Sequence, residues 1–478
     1  MRGNSDALDG LFPDRESNEP LRHQLVRKLR ESIEQGVLPP STRLLPSREL
    51  AVRLGLSRTT VTSALEQLIS EGYLESAAGS GTFVAATFVP KPPSRKPEAQ
   101  PPPNARALLA LDSLLRWYGD AGGRGPLRAV PDLSQFPQAL WARITRRALA
   151  AGAEHLSYGS ASGVPQLREA IAHHVRQFRG VPTNASQVIV VEGTQTAQRL
   201  IIDVLLREGD AVVIEDPGYN MLRASLIARR IRLEPVAVDF EGVQIADAPA
   251  ALAAFVTPSH QYPLATIMSM ARRRELLDWA HANDAYIVED DYDGEFSFAS
   301  KPLPTLQSLD RSRVIYVGSF SKSLAPGLRL GYLVVPPRLV EAFELARLLA
   351  TFGGTRFVQA TLAEFLVEGH FARHVRRLTR SHDERRRALL ETLARHLPPD
   401  RFRVQGGKAG LHLAVIAPAD FDDVAMSERL REHGIFTEPL SYCCVARTDC
   451  RGFIVGYSAA PPNEIAEAAR RFCAIVGS

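Results

Sequence analysis

Cysteine is scarce: the 478 residues hold four, and Cys443, Cys444, Cys450 and Cys473 all fall near the C-terminus. None forms a Cys-x-x-Cys, which excludes a disulfide framework or a zinc knuckle read from spacing. No run reaches the roughly 18 uninterrupted apolar residues that a membrane span needs. The opening MRGNSDALDGLFPDRESNEP lacks the apolar stretch of a secretory signal, so a cytoplasmic protein with no membrane partner is expected. An excess of either charge is also lacking. The net charge of +4 is too small for polyanion binding through bulk charge, so a nucleic-acid partner requires a focused patch.

The composition is 45% hydrophobic and 23% charged, which suits a soluble chain with a real core. At this length two or more domains are expected. The composition changes along the chain. Helical patterns with short turns fill 20–84. The run VPKPPSRKPEAQPPP (89–103) is low-complexity and favours extended polyproline II, about 3.1 Å per residue, a semi-rigid spacer. From 128 onward, apolar strand-like runs alternate with helical stretches. The expected division is a domain over 15–86, a linker over 87–127 and a second domain over 128–478.

In the first region Leu21, Leu25, Leu29 and Ile33 mark one face of a helix that stops near Gly36. Ser47 is placed to cap a short second helix, SRELAVRL, and Gly55 to end it. Ser57 is placed to cap a third, with Val61, Leu65, Leu68 and Ile69 inward. YLESAA and TFVAA then read as two short strands. The tight spacing between helices two and three is of the helix–turn–helix kind. It sets Arg58, Thr59 and Thr60 in the first turn of the second member, where side chains and free amides meet phosphates and base edges. Arg43, Arg48, Arg53 and Arg58 stand against one acid, Glu49, between 41 and 62. A small helical bundle with a solvated polar face would show the same spacing.

LLPSRELA, LGLSRTTV, EGYL and GSGTFV add specificity. In this order they resemble the winged-helix head of the GntR family, with the proline–serine pair displaced by one residue. The resemblance implies double-stranded operator DNA as partner. It implies Arg48, Ser57, Arg58, Thr59 and Thr60 as contacts, and Gly79, Ser80 and Gly81 as the wing tip.

The second region carries YVGSFSKSLAPGLRLGY (316–332): a lysine, Lys322, among serines, with Arg329 close by. Small hydroxyls, a lysine and an arginine suit a phosphate and an aldehyde held together. Pyridoxal 5'-phosphate needs a lysine, an anion cradle, a carboxylate for the ring nitrogen and a partner for the ring face. AYIVEDDYDGEF (285–296) offers the carboxylate. An apolar strand there ends in acids, and residues two apart share a strand face, so Asp290 and Tyr292 point together. Asp291 and Asp293 are expected to point elsewhere. Four acids at a strand end also suit a metal, but no histidine or ligand spacing accompanies them, so no metal is expected. QVIVVEGTQTAQRLIIDVLL (187–206) reads strand, turn, helix, with Gly193, Thr194 and Gln195 at the helix start, where amides and dipole suit a phosphate. An ordinary strand-to-helix connection looks the same. Ser319, Ser321 and Arg329 complete the cradle. Tyr219, past the strand in VVIEDPGYN, is the candidate for stacking, or else a lid on the core.

Together these segments resemble the fold-type I pyridoxal phosphate enzymes of the aminotransferase family across about 128–478. VPDLSQFPQALWARI, LSYGSASGVPQLREAI, TPSHQYPLATIMS and LVEGHFARHVRRL extend the match. A GntR-like head joined by a proline-bearing linker to such a region resembles the MocR subfamily of transcriptional regulators. The resemblance implies an α/β architecture: a winged helix–turn–helix, a large aminotransferase-like domain and a smaller C-terminal α/β subdomain. It implies Lys322 as the Schiff-base lysine, Asp290 and Tyr292 on the ring nitrogen and phenolic oxygen, and Tyr219 stacked. Thr194, Ser319 and Arg329 fall on phosphate. A homodimer is implied, with the cofactor, alone or with a small amine effector, as signal.

The chain departs from the family twice. Tyr262-Pro263-Leu264-Ala265 stands where aminotransferases carry Asn-Pro-Thr-Gly. Ile454, in GFIVGY, stands where an arginine grips the substrate α-carboxylate as a fork. A regulator is therefore expected rather than an enzyme, with at most a residual transamination half-reaction. The alternative is an aminotransferase with an appended DNA-binding domain.

Overall fold

The computed structural model describes residues 11–15, 17, 19–77, 80–86, 103–114, 125–298 and 302–477. The chain divides into two compact units at Pro102/Pro103.

The first unit holds α1 (Leu21–Glu34), α2 (Ser47–Leu54), α3 (Arg58–Ser70) and a hairpin of β1 (Leu74–Ala77) with β2 (Gly81–Val84). Leu25, Leu29 and Ile33 of α1 enter one core with Leu50, Leu54, Val61, Leu65 and Leu68; Leu21 and Ile69 stay half-buried at its edge. Ser47 does not cap α2: Pro46 precedes the helix, no side chain caps it, and Ser47 is its first residue. Proline's fixed φ has already set the entry. Gly55 ends α2 at φ 64°, in the left-handed region that glycine enters without a Cβ clash. Ser57 does cap α3, its Oγ accepting from the Thr60 amide at 3.0 Å.

The second unit is built on an eight-stranded sheet. Its order is β3 (Val188–Val191), β10 (Gly331–Val334), β9 (Val314–Ser319), β8 (Tyr286–Asp291), β7 (Ala253–Val256), β4 (Ala211–Asp216), β5 (Arg232–Asp239) and β6 (Gly242–Val243). β9, β8, β7, β4 and β5 run parallel; β10 is antiparallel to both neighbours. Val188–Val191, Ala211–Asp216, Ala253–Val256 and Val314–Ser319 are buried throughout. Helices cover both faces of such a sheet, so its strands read as unbroken apolar runs. A second, antiparallel sheet has the order β11 (Arg403–Gly406), β12 (His412–Ala417), β14 (Arg451–Gly456), β13 (Glu438–Pro439). It packs against the helix Pro462–Val476 and the 27-residue helix His370–His396.

Within the stretch read as a linker, Pro103–Leu109 is helical and Leu127 is buried in the C-terminal core. The rest of its proline-rich part, 87–102, lies outside the described residues. Among the described residues no helix is long and apolar enough to cross a membrane.

Candidate functional site

In the first unit the start of α3 is open to solvent: Ser57, Arg58 and Thr59 are exposed, as is Arg48 on α2. Thr60 is half-buried, and its hydroxyl lies 2.7 Å from Ser57 Oγ. These two side chains are thus tied to the helix start, leaving Arg48, Arg58 and Thr59 as the projecting groups. Ser80 and Gly81 are exposed at the hairpin tip; Gly79 lies outside the described residues. Arg43 joins this face. A Cβ on Gly81 would come within 3.1 Å of its guanidinium Nε.

In the second unit the carboxyl ends of the strands converge on one cavity of about 370 Å³. Ligands of open α/β sheets bind there. Its walls include Thr194, Gln195, Tyr219, Asp290, Tyr292, Ser319, Ser321, Lys322 and Arg329, nine residues read from separate motifs. Gly193 does not line it but is the N-cap of the helix Thr194–Leu205, at φ 88°. A Cβ there would lie 3.4 Å from Arg329 Nη1, so the glycine leaves the helix start open beside a cation.

Lys322 Nζ donates to the carbonyl of Ala129 at 2.7 Å. Burial pushes its ammonium down, and the nearby Asp293 and Glu438 carboxylates partly restore it. A lysine eased toward the neutral amine is the form that attacks an aldehyde. Enclosure pushes Asp290 up to about 7, the Asp291, Asp293 and Glu215 charges push the same way, and a hydrogen bond from Gln198 opposes them. Its Oδ1 is shut off from solvent and has no hydrogen-bond partner. A buried carboxylate oxygen left in that state calls for a cationic donor.

Tyr219 accepts from Gln195 Nε2 at 3.3 Å, and the Ser321 amide donates to Ser319 Oγ at 3.1 Å. Tyr292 donates to the His260 carbonyl at 3.0 Å and lies 3.0 Å from His260 Nδ1. The loop carrying Tyr219 is bound to the segment after β13. Asp216 accepts from the Val445, Ala446 and Arg447 amides at 2.8, 2.8 and 3.0 Å. The Gly218 amide donates to the Cys443 carbonyl at 3.0 Å, and Asn220 Nδ2 to the Tyr442 carbonyl at 3.0 Å.

Asp291 does point away, to Arg179 and Tyr316. Asp293 does not: it lines the cavity and contacts His260 Nδ1 at 3.0 Å. β8 ends at Asp291, so strand alternation no longer governs Asp293. The fold also brings histidines to these acids. His260, Asp293 and His412 are buried together, with one ligand atom from each within 4.8 Å of the others.

Arg128, Tyr262, Glu438 and Ile454 also line the cavity. Tyr262 donates its hydroxyl to Glu438. Reading the sequence missed Glu438 and Arg128, which stand in no motif; Gln198 was findable as the residue one turn after Thr194 and Gln195.

The unpartnered Asp290 oxygen and the helix start at Gly193 beside the Arg329 guanidinium fit the ring nitrogen and phosphate of pyridoxal 5'-phosphate. Fold and site define an aminotransferase-like domain carried behind a winged-helix head. Residues 130–472 match the family of class I and II aminotransferases, and 21–84 match the bacterial regulatory proteins of the gntR family. The chain is 37% identical to a probable rhizopine catabolism regulatory protein, MocR, of Rhizobium meliloti, over 96% of this chain and 94% of that one. It is 32% identical to the pyridoxine biosynthesis transcriptional regulator PdxR of Corynebacterium glutamicum, over 91% of each. The crystal structure of LysN, an α-aminoadipate aminotransferase from Thermus thermophilus, overlays with a TM-score of 0.71 at 25% identity. That overlay covers 78% of this chain and 96% of LysN. The chain belongs to the MocR subfamily of GntR-family transcriptional regulators. It is a regulator that carries an aminotransferase-like domain.

Proposed function

We propose that this regulator binds pyridoxal 5'-phosphate on Lys322, and that the state of that site sets how the winged-helix head holds operator DNA. The observation that carries the reading is the meeting of Lys322, Asp290, Tyr219, Thr194 and Arg329 around one cavity. When bound, the cofactor supplies an aldehyde that condenses with an amine. Lys322 is the resident amine. Asp290 holds the ring nitrogen and Tyr292 the phenolic oxygen, while Tyr219 covers the ring. Gly193, Thr194, Gln195, Ser319, Ser321 and Arg329 hold the phosphate. In the head, Arg48, Ser57, Arg58, Thr59 and Thr60 meet the duplex, with the wing at 79–81.

The functional division is a DNA-reading head at 15–86, a spacer at 87–127 and a sensing domain at 128–478, working as a homodimer. Two heads on one assembly strengthen individually modest DNA contacts. Coupling requires that the cofactor, or an amine exchanging with Lys322, bind two arrangements with different affinity. The relative named for pyridoxine biosynthesis supports the cofactor itself as one signal.

Cofactor-free and cofactor-loaded protein should differ in operator affinity by gel shift or anisotropy. Loaded protein should show a visible absorbance band that Lys322→Ala abolishes. Identical operator binding in both states, or a band that survives the substitution, overturns the reading.

A further inference from the structure

The C-terminal sheet presents an acid to the cavity where a cation would grip a carboxylate. Ile454 of β14 stands opposite Glu438 of β13 on one side and Ala414 of β12 on the other. Directly opposed residues of antiparallel strands share a sheet face, and Ile454 and Glu438 both line the cavity that holds Lys322. This row is thus methyl, branched alkyl, carboxylate. The lining cations, Arg128, Lys322, Arg329 and Arg431, come from other segments.

Glu438 is fixed in place. The Tyr262 hydroxyl donates to its Oε2, and the Tyr262 ring lies edge-on to Tyr219 at 5.8 Å and to Tyr292 at 6.4 Å. The acid is therefore anchored to the aromatic group around the site and acts electrostatically on Lys322 itself. Burial raises the Glu438 carboxyl, while the Tyr262 hydrogen bond and the Arg128 and Lys322 charges draw it back toward the carboxylate. A carboxylate brought to this wall would find Ile454 unable to bind it and the ionised Glu438 repelling it at low dielectric. An ammonium there would gain a charge-assisted hydrogen bond.

We infer that the amine recognised beside Lys322 is a diamine-like ligand: it lacks a carboxylate on its reacting carbon and places a second cationic donor on Glu438. Glu438 and Ile454 are then the residues that set ligand specificity. This rests on the cofactor-binding reading above and names the ligand class for the same site.

Three probes differ by one group each. 1,4-Diaminobutane has both amines, 1-aminobutane lacks the second, and L-ornithine adds the α-carboxylate. Each is titrated into full-length, cofactor-loaded protein while the visible band is followed. Diaminobutane should half-saturate at a concentration lower by at least about tenfold than either other amine, a tenfold ratio being one decade of affinity. Glu438→Gln should bring diaminobutane close to aminobutane, and Ile454→Arg should move the preference to ornithine.

Arg128 acts on both Glu438 and Lys322, which makes ornithine the stringent probe: a carboxylate held by Arg128 reverses the predicted order. Ornithine binding more tightly than diaminobutane, or an unchanged diaminobutane-to-aminobutane ratio in Glu438→Gln, overturns the inference alone. Wild-type protein that forms no visible band with pyridoxal 5'-phosphate overturns the underlying reading and the inference with it. Should a variant lose the band, the wild-type order of the three amines decides.

Discussion

Arg329 lays its guanidinium against Gly193, 3.4 Å from where a Cβ would stand. Two distant motifs meet there, one at the first amide of a helix and the other in a left-handed turn at φ 51°. Gly193→Ala should strain a backbone held at φ 88° and ψ 178°, costing about 1–3 kcal/mol. It should also set a methyl group in contact with the Arg329 guanidinium, at the cradle proposed for the phosphate. Denaturant unfolding of the large unit should register the first effect. Weaker uptake of pyridoxal 5'-phosphate should register the second, with inorganic phosphate protecting the variant less than the parent.

Asp290→Asn should keep the fold and weaken the cofactor. The substitution removes one side of a charge-assisted hydrogen bond, worth about 1.5–3 kcal/mol, and so about 10- to 100-fold in affinity. Absorbance titration of the cofactor-free protein reads this directly. An unchanged dissociation constant would exclude Asp290 as the partner of the ring nitrogen.

The same carboxyl predicts a pH dependence. Asp290 is pushed up to about 7 by enclosure and neighbouring acids, against about 4 in an unfolded chain. The cofactor-free folded state therefore holds this proton more tightly than the unfolded state. Its penalty is absent below about pH 4, grows as pH rises, and is complete by about pH 7. Glu215, pushed up to about 7 by burial, adds in the same direction. The unfolding midpoint of cofactor-free protein should fall across this window, less steeply in Asp290→Asn than in the parent. Equal slopes would remove Asp290 from the account.

Two substitutions separate structure from recognition in the head. Ser57→Ala deletes the cap that accepts from Thr60 at 3.0 Å and should cost about 1 kcal/mol of head stability. Arg58 is exposed, so Arg58→Ala should leave stability unchanged. It should lower affinity across DNA sequences and reduce the salt slope by about one. Loss of stability in Arg58→Ala, with the salt slope intact, would assign that arginine to the fold.

Reading the sequence went furthest where local chemistry decides. The period of Leu25, Leu29 and Ile33, the cap at Ser57 and the apolar strand that runs into Asp290 and Asp291 are each set within a few residues. Ser47 misled because a preceding proline had already fixed the helix entry. Asp293 misled because its strand ends two residues before it. Glu438, Arg128 and His412 were illegible for another reason: each reaches the cavity from a segment far along the chain. The paired Glu438 and Ile454 meet only through strand register, which no short spacing encodes.

Asp216 closes three amides of the segment 445–447 into a clasp, three residues before Tyr219. The antiparallel sheet and that tyrosine are consequently coupled as a lever and its tip. On the proposed reading, a displacement of the sheet by a ligand against Glu438 would reach Tyr219 through this clasp. If the cofactor binds as proposed, colour at its ring would then gauge posture in the C-terminal lobe.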